Sequence, residues 1–171
     1  MIFRLSQKLS TKIKTGTLKT LPLDENPFAD WSAHLFVVDR TQYILLSNTL
    51  TLYSVVTFGK GIMSDWQFIE RALSSIRQFM EDDGYEAEYL RLIAPATARV
   101  RFAKALDRTV TGSLNELVQA ATYCLEDGER SPFDVSVELN DLLLSAIAPS
   151  KADKYGKPKE AFRELVGSVE S

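Results

Sequence analysis

Several side chains with chemical potential fall within one short segment, DRTVTGSLNE at residues 107–116. Asp107 and Arg108 pair an acid with a base, and Gly112-Ser113 precedes apolar residues at helical spacing. A glycine–serine step at a helix start can hold a phosphate on free backbone amides or present a nucleophilic hydroxyl. Together with an arginine from an earlier turn, the segment predicts a polar site for a phosphorylated or anionic small molecule. The candidate residues are Arg40, Asp107, Arg108, Ser113 and Asn115.

The same segment has a purely structural interpretation. Ser113 and Glu116 are spaced as S-x-x-E, which is a capping box, and an apolar stripe that includes Leu114 and Leu117 follows. This pattern predicts a helix that begins at Ser113. A nucleophile elbow is excluded because Asn115 stands where that motif needs its second glycine.

Basic residues suggest a second candidate site, for nucleic acid. No acidic residue precedes Asp24, and the apolar spacing near the N-terminus predicts a short amphipathic helix with a basic face. Two further arginines alternate with apolar residues in a predicted strand at 98–103. If both faces join, they form a phosphate-binding surface; otherwise each is an ordinary solvated face. The candidate contacts are Arg4, Lys8, Lys12, Arg99 and Arg101.

Composition limits the remaining chemistry. The chain has 1 histidine and 1 cysteine, too few for a zinc site of the Cys/His kind. No glycine-rich dinucleotide or P-loop motif occurs, so neither a metal nor a cofactor is expected. His34 lies within a strand-like run and Cys124 beside a helical stripe, which favours structural roles for both. The net charge of −3 argues against bulk attraction to nucleic acid or membrane.

The elements that must position these residues can be predicted from hydrophobic periodicity. Three strand-like runs at 31–39, 41–48 and 52–58 are separated by short turns, which indicates an antiparallel meander. The strand at 98–103 is expected to join it, and helices beginning at Ser64 and Ser113 are expected to cover it. We therefore predict an α+β fold, with an antiparallel sheet of about four to five strands and helices packed mainly on one face.

Length and composition predict a single domain over residues 1–171. The chain is 45% hydrophobic and 25% charged, as in soluble globular domains. A polar linker at about 148–159 is expected to precede a C-terminal helix that begins near Pro158. No apolar stretch has the length of a signal peptide or a membrane span, so a cytoplasmic protein without a membrane association is expected.

Two motifs resemble those of a family of small bacterial proteins known only as a domain of unknown function. Asp30-Trp31 opens a strand hairpin with Arg40 at its turn. The second motif is the Asp-Arg…Gly-Ser-x-Asn segment formed by Asp107, Arg108, Gly112, Ser113 and Asn115. The resemblance covers most of the chain. It implies a bacterial, cytoplasmic origin and brings no activity with it.

Three functions remain open at the level of sequence. The favoured one is a non-catalytic binding or interaction module that acts through a protein partner or as a homodimer, because no constellation meets the needs of a known reaction class. The second is a regulatory nucleic-acid-binding protein that uses the basic N-terminal helix. The third is an enzyme acting on a phosphorylated or anionic small molecule through the polar cluster. A common pocket for that cluster would favour the third.

Overall fold

A computed structural model describes residues 1–171 and contains a five-stranded sheet. The predicted meander is confirmed, because its three runs form consecutive antiparallel strands joined by short turns. The N-terminal apolar run is also a strand, and the expected strand at 98–103 is shortened to its last three residues. The strands are β1 (Ile2–Leu5), β2 (Asp30–Val38), β3 (Thr41–Asn48), β4 (Ser54–Phe58) and β5 (Arg101–Ala103).

The order of strands corrects the predicted topology. The sheet runs β4-β3-β2-β1-β5, and β1 is parallel to both of its neighbours, β2 and β5. The sheet is therefore mixed, and β5 joins it through β1 instead of through the meander. Parallel neighbours need a long connection between them. The chain supplies it twice, between β1 and β2 and again before β5.

Six helices complete the fold. They are α1 (Gln7–Ile13), α2 (Asp65–Asp82), α3 (Glu86–Glu88), α4 (Arg108–Leu125), α5 (Pro132–Leu139) and α6 (Pro158–Glu170). A short π-helical turn and a 3-10 helix follow α3, over Tyr89–Ile93 and Ala94–Ala98.

Helices cover both faces of the sheet, which corrects the expectation that they lie mainly on one. Alternate residues of β2 enter two separate apolar cores: Leu35 belongs to the first and Phe36 to the second. The first core packs the sheet against α1, α2 and α6, and the second packs it against α4 and α5. Both sides of β2 carry apolar residues, as a strand covered on both faces requires.

The start of α2 is as predicted, and the start of α4 is not. The Ser64 hydroxyl accepts from the backbone N–H of Gln67, as an N-cap should. In α4 the N-cap is Asp107, whose carboxylate accepts from the N–H of Val110 at 2.9 Å. The helix is already formed when it reaches Ser113, so the predicted capping box there is wrong. The N-cap is an aspartate six residues earlier, which already bonds a free amide of the first turn.

Side chains protect the edge strand β4. Its outward backbone groups would otherwise be open to pairing with another chain. Asn140, the residue that ends α5, donates to the carbonyl of Ser54 and accepts from its N–H, both at 2.8 Å. The Ser136 hydroxyl accepts from Val56 N–H at 2.8 Å. The first half of the edge strand is thus bonded by side chains of α5 and of the residue that follows it.

The C-terminal helix packs on the first core through one aromatic ring. As predicted, it begins at Pro158 after a stretch without helix or strand, in which Gly156 bridges to Leu144. Phe162 is fully buried and stacks on Tyr53, with ring centroids 4.2 Å apart. The Tyr53 hydroxyl donates to Asp83 at 2.7 Å, and burial with this bond raises its pKa far above the ordinary value. The tyrosine is therefore neutral at all physiological pH values.

Candidate ligand-binding crevice

The carboxyl ends of β1 and β5 form a natural crevice. These strands are parallel neighbours, but the chain leaves them in opposite directions: β1 leads to α1 on one face, and β5 leads to α4 on the other. Loops that diverge in this way leave a gap between them. In open sheets with parallel strands, ligands bind at such a switch point, outside the carboxyl ends of the strands.

Two adjoining clefts occupy this gap. The first has a volume of about 360 Å³ and the second about 490 Å³, both within the range of small-molecule sites. They share Leu5, the last residue of β1, Gln7, which follows β1, and Ala105, which follows β5. We call the two clefts together the crevice, and these three shared residues its floor.

The first cleft brings His34 next to Lys8. β2 continues past the end of β1, since Leu5 pairs with Ala33 and His34 is the next residue. His34 is partly buried and makes no hydrogen bond, and no buried side-chain nitrogen or oxygen lacks a partner. Its ring nitrogens therefore open to the cleft. Burial, followed by the charge of Lys8, lowers the pKa of His34 below its ordinary value.

Hydroxyl groups in the first cleft are already engaged. Ser6 Oγ accepts from the backbone N–H groups of Leu9 and Leu35, at 3.3 and 3.4 Å. Ser32 Oγ and Thr49 Oγ1 lie 2.9 Å apart. Thr111 Oγ1 donates to the carbonyl of Asp107 at 3.0 Å. These groups can still accept or donate a further hydrogen bond to a ligand, but none is paired with His34.

The electrostatic character of the crevice is positive. Neither cleft is lined by an aspartate or a glutamate. Lys8 lines the first cleft and Lys104 the second, and neither forms an ion pair. Unpaired cations beside an apolar floor suit an organic anion, which gains from both the charge and the burial of its carbon chain.

Arg4 also reaches the first cleft, but its charge is compensated. Its guanidinium binds both carboxylate oxygens of Asp30 at 2.8 Å, and both side chains are almost fully buried. Its remaining donors bond the carbonyls of Leu21, Pro22 and Lys104. Arg4 thus joins β1 to the long connection before β2 and to the loop after β5. It forms the inner wall of the crevice and adds no net charge to it.

A family model for a domain of unknown function, DUF6933, matches residues 2–161. The chain belongs to the DUF6933 family. The match confirms the resemblance to a domain of unknown function and covers the whole sheet and the crevice. No curated protein and no solved structure matches this DUF6933 chain.

The predicted polar cluster does not gather in this DUF6933 protein. Asp107 caps α4 and lines a small cleft together with Thr49. The backbone N–H of Thr49 donates to the carbonyl of Asp30, so this cleft lies near the start of β2. Arg40 is in the turn after Val38, at the other end of that strand. A strand of 9 residues is about 30 Å long at about 3.3 Å per residue. Arg40 is therefore far from the rest of the cluster.

The other members of the cluster point to different surroundings. Ser113 is buried on the apolar side of α4. Arg108 and Asn115 are exposed on the same helix, and neither forms a side-chain hydrogen bond or an ion pair. The cluster thus supplies one helix cap, one buried hydroxyl and three exposed side chains that do not share a cleft.

The predicted nucleic-acid contacts are also divided. Arg4 is buried in the ion pair with Asp30, and Lys12 donates to Gln42 at 2.6 Å. Arg99 and Arg101 are exposed at the amino end of β5, whereas Lys8 lies beyond the carboxyl end of β1. A continuous basic face that joins all five is not formed, because Arg4 lies in a strand and not on the helix.

Sequence reasoning assigned His34 a structural role and overlooked Lys104. His34 is flanked by apolar residues of β2, and its opening to a cleft depends on where β1 ends. Lys104 enters the crevice only because β5 pairs with β1 from a distance of about 100 residues in the chain. For Lys104 the available signal was a lysine directly after the predicted strand at 98–103.

Cys124 has the structural environment expected for it. Its thiol donates to the Glu138 carboxylate at 3.2 Å, and burial with this bond raises its pKa. From Leu114 at the crevice to Cys124 the helix extends about 15 Å. The thiol is therefore neutral and remote from His34.

None of the helices has the length and apolar character needed to cross a bilayer.

Proposed function

We propose that the protein is a non-catalytic binding module that holds a small organic anion in the crevice. The observation that carries the proposal is the switch point itself, with Lys8, His34 and Lys104 around an apolar floor and no carboxylate among the lining residues. The diverging connections after β1 and β5 leave the gap, and Lys8 and Lys104 give it a positive charge.

Two features support binding over catalysis. His34 has no carboxylate to orient it and no hydroxyl paired with it, and a general base normally needs both a positioned partner and a substrate proton within reach. In the first cleft the hydroxyls of Ser6 and Thr111 bond backbone groups, and that of Ser32 bonds Thr49. The site is thus equipped to recognise charge and shape.

The test is a titration followed by NMR on the labelled protein. Octanoate is the probe, and octanamide is its uncharged counterpart of equal length. Octanoate is expected to shift the backbone amides of the crevice floor and the ring signals of the single histidine, and octanamide to shift them much less.

Variants locate the charge that matters. Lys8→Gln is expected to weaken octanoate binding, whereas Lys60→Gln, on an exposed turn outside the crevice, should leave it unchanged. Equal shifts with octanoate and octanamide would show that charge plays no part. Failure of every anion to perturb the crevice would refute the proposed function.

A further inference from the structure

The crevice has a basic side chain on each side of its floor, and the two sides are separated by one strand. His34 on β2 follows Ala33, the partner of Leu5, and Lys104 follows Ala103, the partner of Arg4. Both residues therefore lie within one step of the end of β1. With a strand spacing of about 4.8 Å, the two backbones are about 10 Å apart across β1.

The surface between these two positions is mainly apolar. Leu5 and Ala105 line both clefts, Leu114 adds to the first and Leu18 to the second. Gln7, the one polar residue of the floor, is exposed and turns its amide to Thr11 at 3.4 Å. A ligand lying over the floor would place a hydrocarbon segment on it and polar groups beyond either end.

We infer that the crevice binds an elongated organic dianion, with one acid group near Lys8 and His34, the other near Lys104, and an apolar chain between them. This inference rests on the proposed function and specifies its ligand class. A compact anion would use only one cleft and leave the other cation solvated. A neutral apolar chain would leave both cations without a partner.

Matched pairs of probes distinguish binding of any organic anion from binding of an elongated dianion. Suberate has a second carboxylate at the far end of the octanoate chain, and succinate has the same relation to butyrate, over a chain too short to cross the floor. Suberate is expected to bind more tightly than octanoate, by up to about fivefold for one added partly exposed ion pair. Succinate should gain nothing comparable over butyrate.

The second cation is tested by substitution. Lys104→Gln is expected to reduce suberate binding to about the octanoate level, and Lys60→Gln, outside the crevice, serves as the matched control. A variant that no longer folds is recognised from its amide spectrum, and Lys104→Ala then provides the second measurement at the same position.

The outcomes differ for the two proposals. If octanoate and suberate bind equally in the unaltered protein, the two-ended ligand is wrong and the binding site stands. An equal gain for succinate over butyrate would also overturn it, because the added charge would then act without spanning the floor. If none of the four probes binds, the proposed function fails as well.

Discussion

Asn140 holds Ser54 from outside the sheet. Its carboxamide oxygen accepts from the Ser54 N–H and its amide nitrogen donates to the Ser54 carbonyl, both at 2.8 Å. The amide thereby takes the place of a neighbouring peptide group, at the one edge of β4 that no strand covers. Both residues are buried, so no water replaces these bonds.

Replacing Asn140 by alanine is expected to lower the free energy of unfolding by about 2–4 kcal/mol. The variant leaves a buried N–H and a buried carbonyl without partners, each at a cost of about 1–3 kcal/mol. Urea denaturation followed by circular dichroism measures the change. Val137→Ala, at an exposed position of the same helix, is the control and should be nearly neutral. Equal stabilities for the two variants would show that the edge bonds contribute nothing.

Arg4→Met is expected to destabilise the protein by about 3–5 kcal/mol, because it leaves Asp30 as a buried charge without its partner. Asp30→Asn should cost a similar amount, and the double variant less than the sum of the two. Lys8→Gln, at an exposed position nearby, is the matched control. Chemical denaturation of the four proteins completes the cycle. Additive effects would contradict a direct coupling between the two side chains.

Stability should decrease as the pH falls below about 6.5, the ordinary pKa of histidine. Burial and Lys8 lower the pKa of His34 in the folded state, so the unfolded chain binds the proton more readily. Above that pH, neutral His34 makes its full contribution to the free energy of unfolding. The contribution is lost as the pH falls from the ordinary pKa of histidine to the lowered pKa of His34. Urea denaturation from about pH 8 to about pH 5 measures it. In His34→Gln the dependence should be weaker, and an unchanged slope would count against the effect.

Anion binding should raise the pKa of His34. A bound carboxylate stabilises the imidazolium form, so binding and protonation favour each other. Octanoate affinity is therefore expected to rise as the pH falls through the titration of this residue. Because the chain has 1 histidine, its ring signals report the pKa directly by NMR. An identical titration curve with and without octanoate would place the anion elsewhere.

Arg40→Gly is expected to stabilise the protein by about 0.5–1 kcal/mol. Asp39 and Arg40 both have positive φ angles, 46° and 66°, as the tight hairpin turn between β2 and β3 requires. A side chain in this conformation is strained, and glycine removes the strain. Arg40→Ala keeps it and should be close to neutral. Thermal unfolding of both variants measures the change. A loss of stability in either variant would show that the Arg40 side chain makes a stabilising contact beyond the turn.

Phe162→Ala should destabilise the protein by about 3–5 kcal/mol, the usual cost of removing a buried aromatic ring. The ring is fully buried between Tyr53, Phe28 and Tyr85, so its removal leaves a cavity under α6. Val169→Ala, on the exposed side of the same helix, is the control. Hydrogen exchange of α6 amides measures the effect locally. Unchanged protection in α6 would mean that other contacts hold the helix.

The parts of the fold that sequence could predict are those with local causes. The turn at Asp39-Arg40 joins adjacent apolar runs, so the pairing of β2 with β3 follows from neighbouring residues alone. The pairing of β1 with β5 leaves no such trace, because Ile2 and Arg101 are brought together only by the folded chain. For this reason the antiparallel meander was predicted correctly and the mixed topology was not.

The crevice was missed for the same reason. His34 looks like any core residue of a strand until β1 is known to end beside it, and Lys104 acquires its setting from a distant partner. The start of α4 was predicted at the wrong residue of segment 107–116 because aspartate and serine are both good N-caps. Which of the two caps the helix depends on where the preceding strand ends.

The position of β1 between two parallel partners has a consequence for how the protein is made. β1 leaves the ribosome before the other four strands, yet its two partners, β2 and β5, are synthesised later, and Arg4 and Ala103, which pair, lie about 100 residues apart in the chain. The nascent chain can form the hairpin of β2 and β3 early, but the sheet is complete only when β5 has emerged. Contacts so distant in sequence slow folding, since the intervening loop must be closed before they can form.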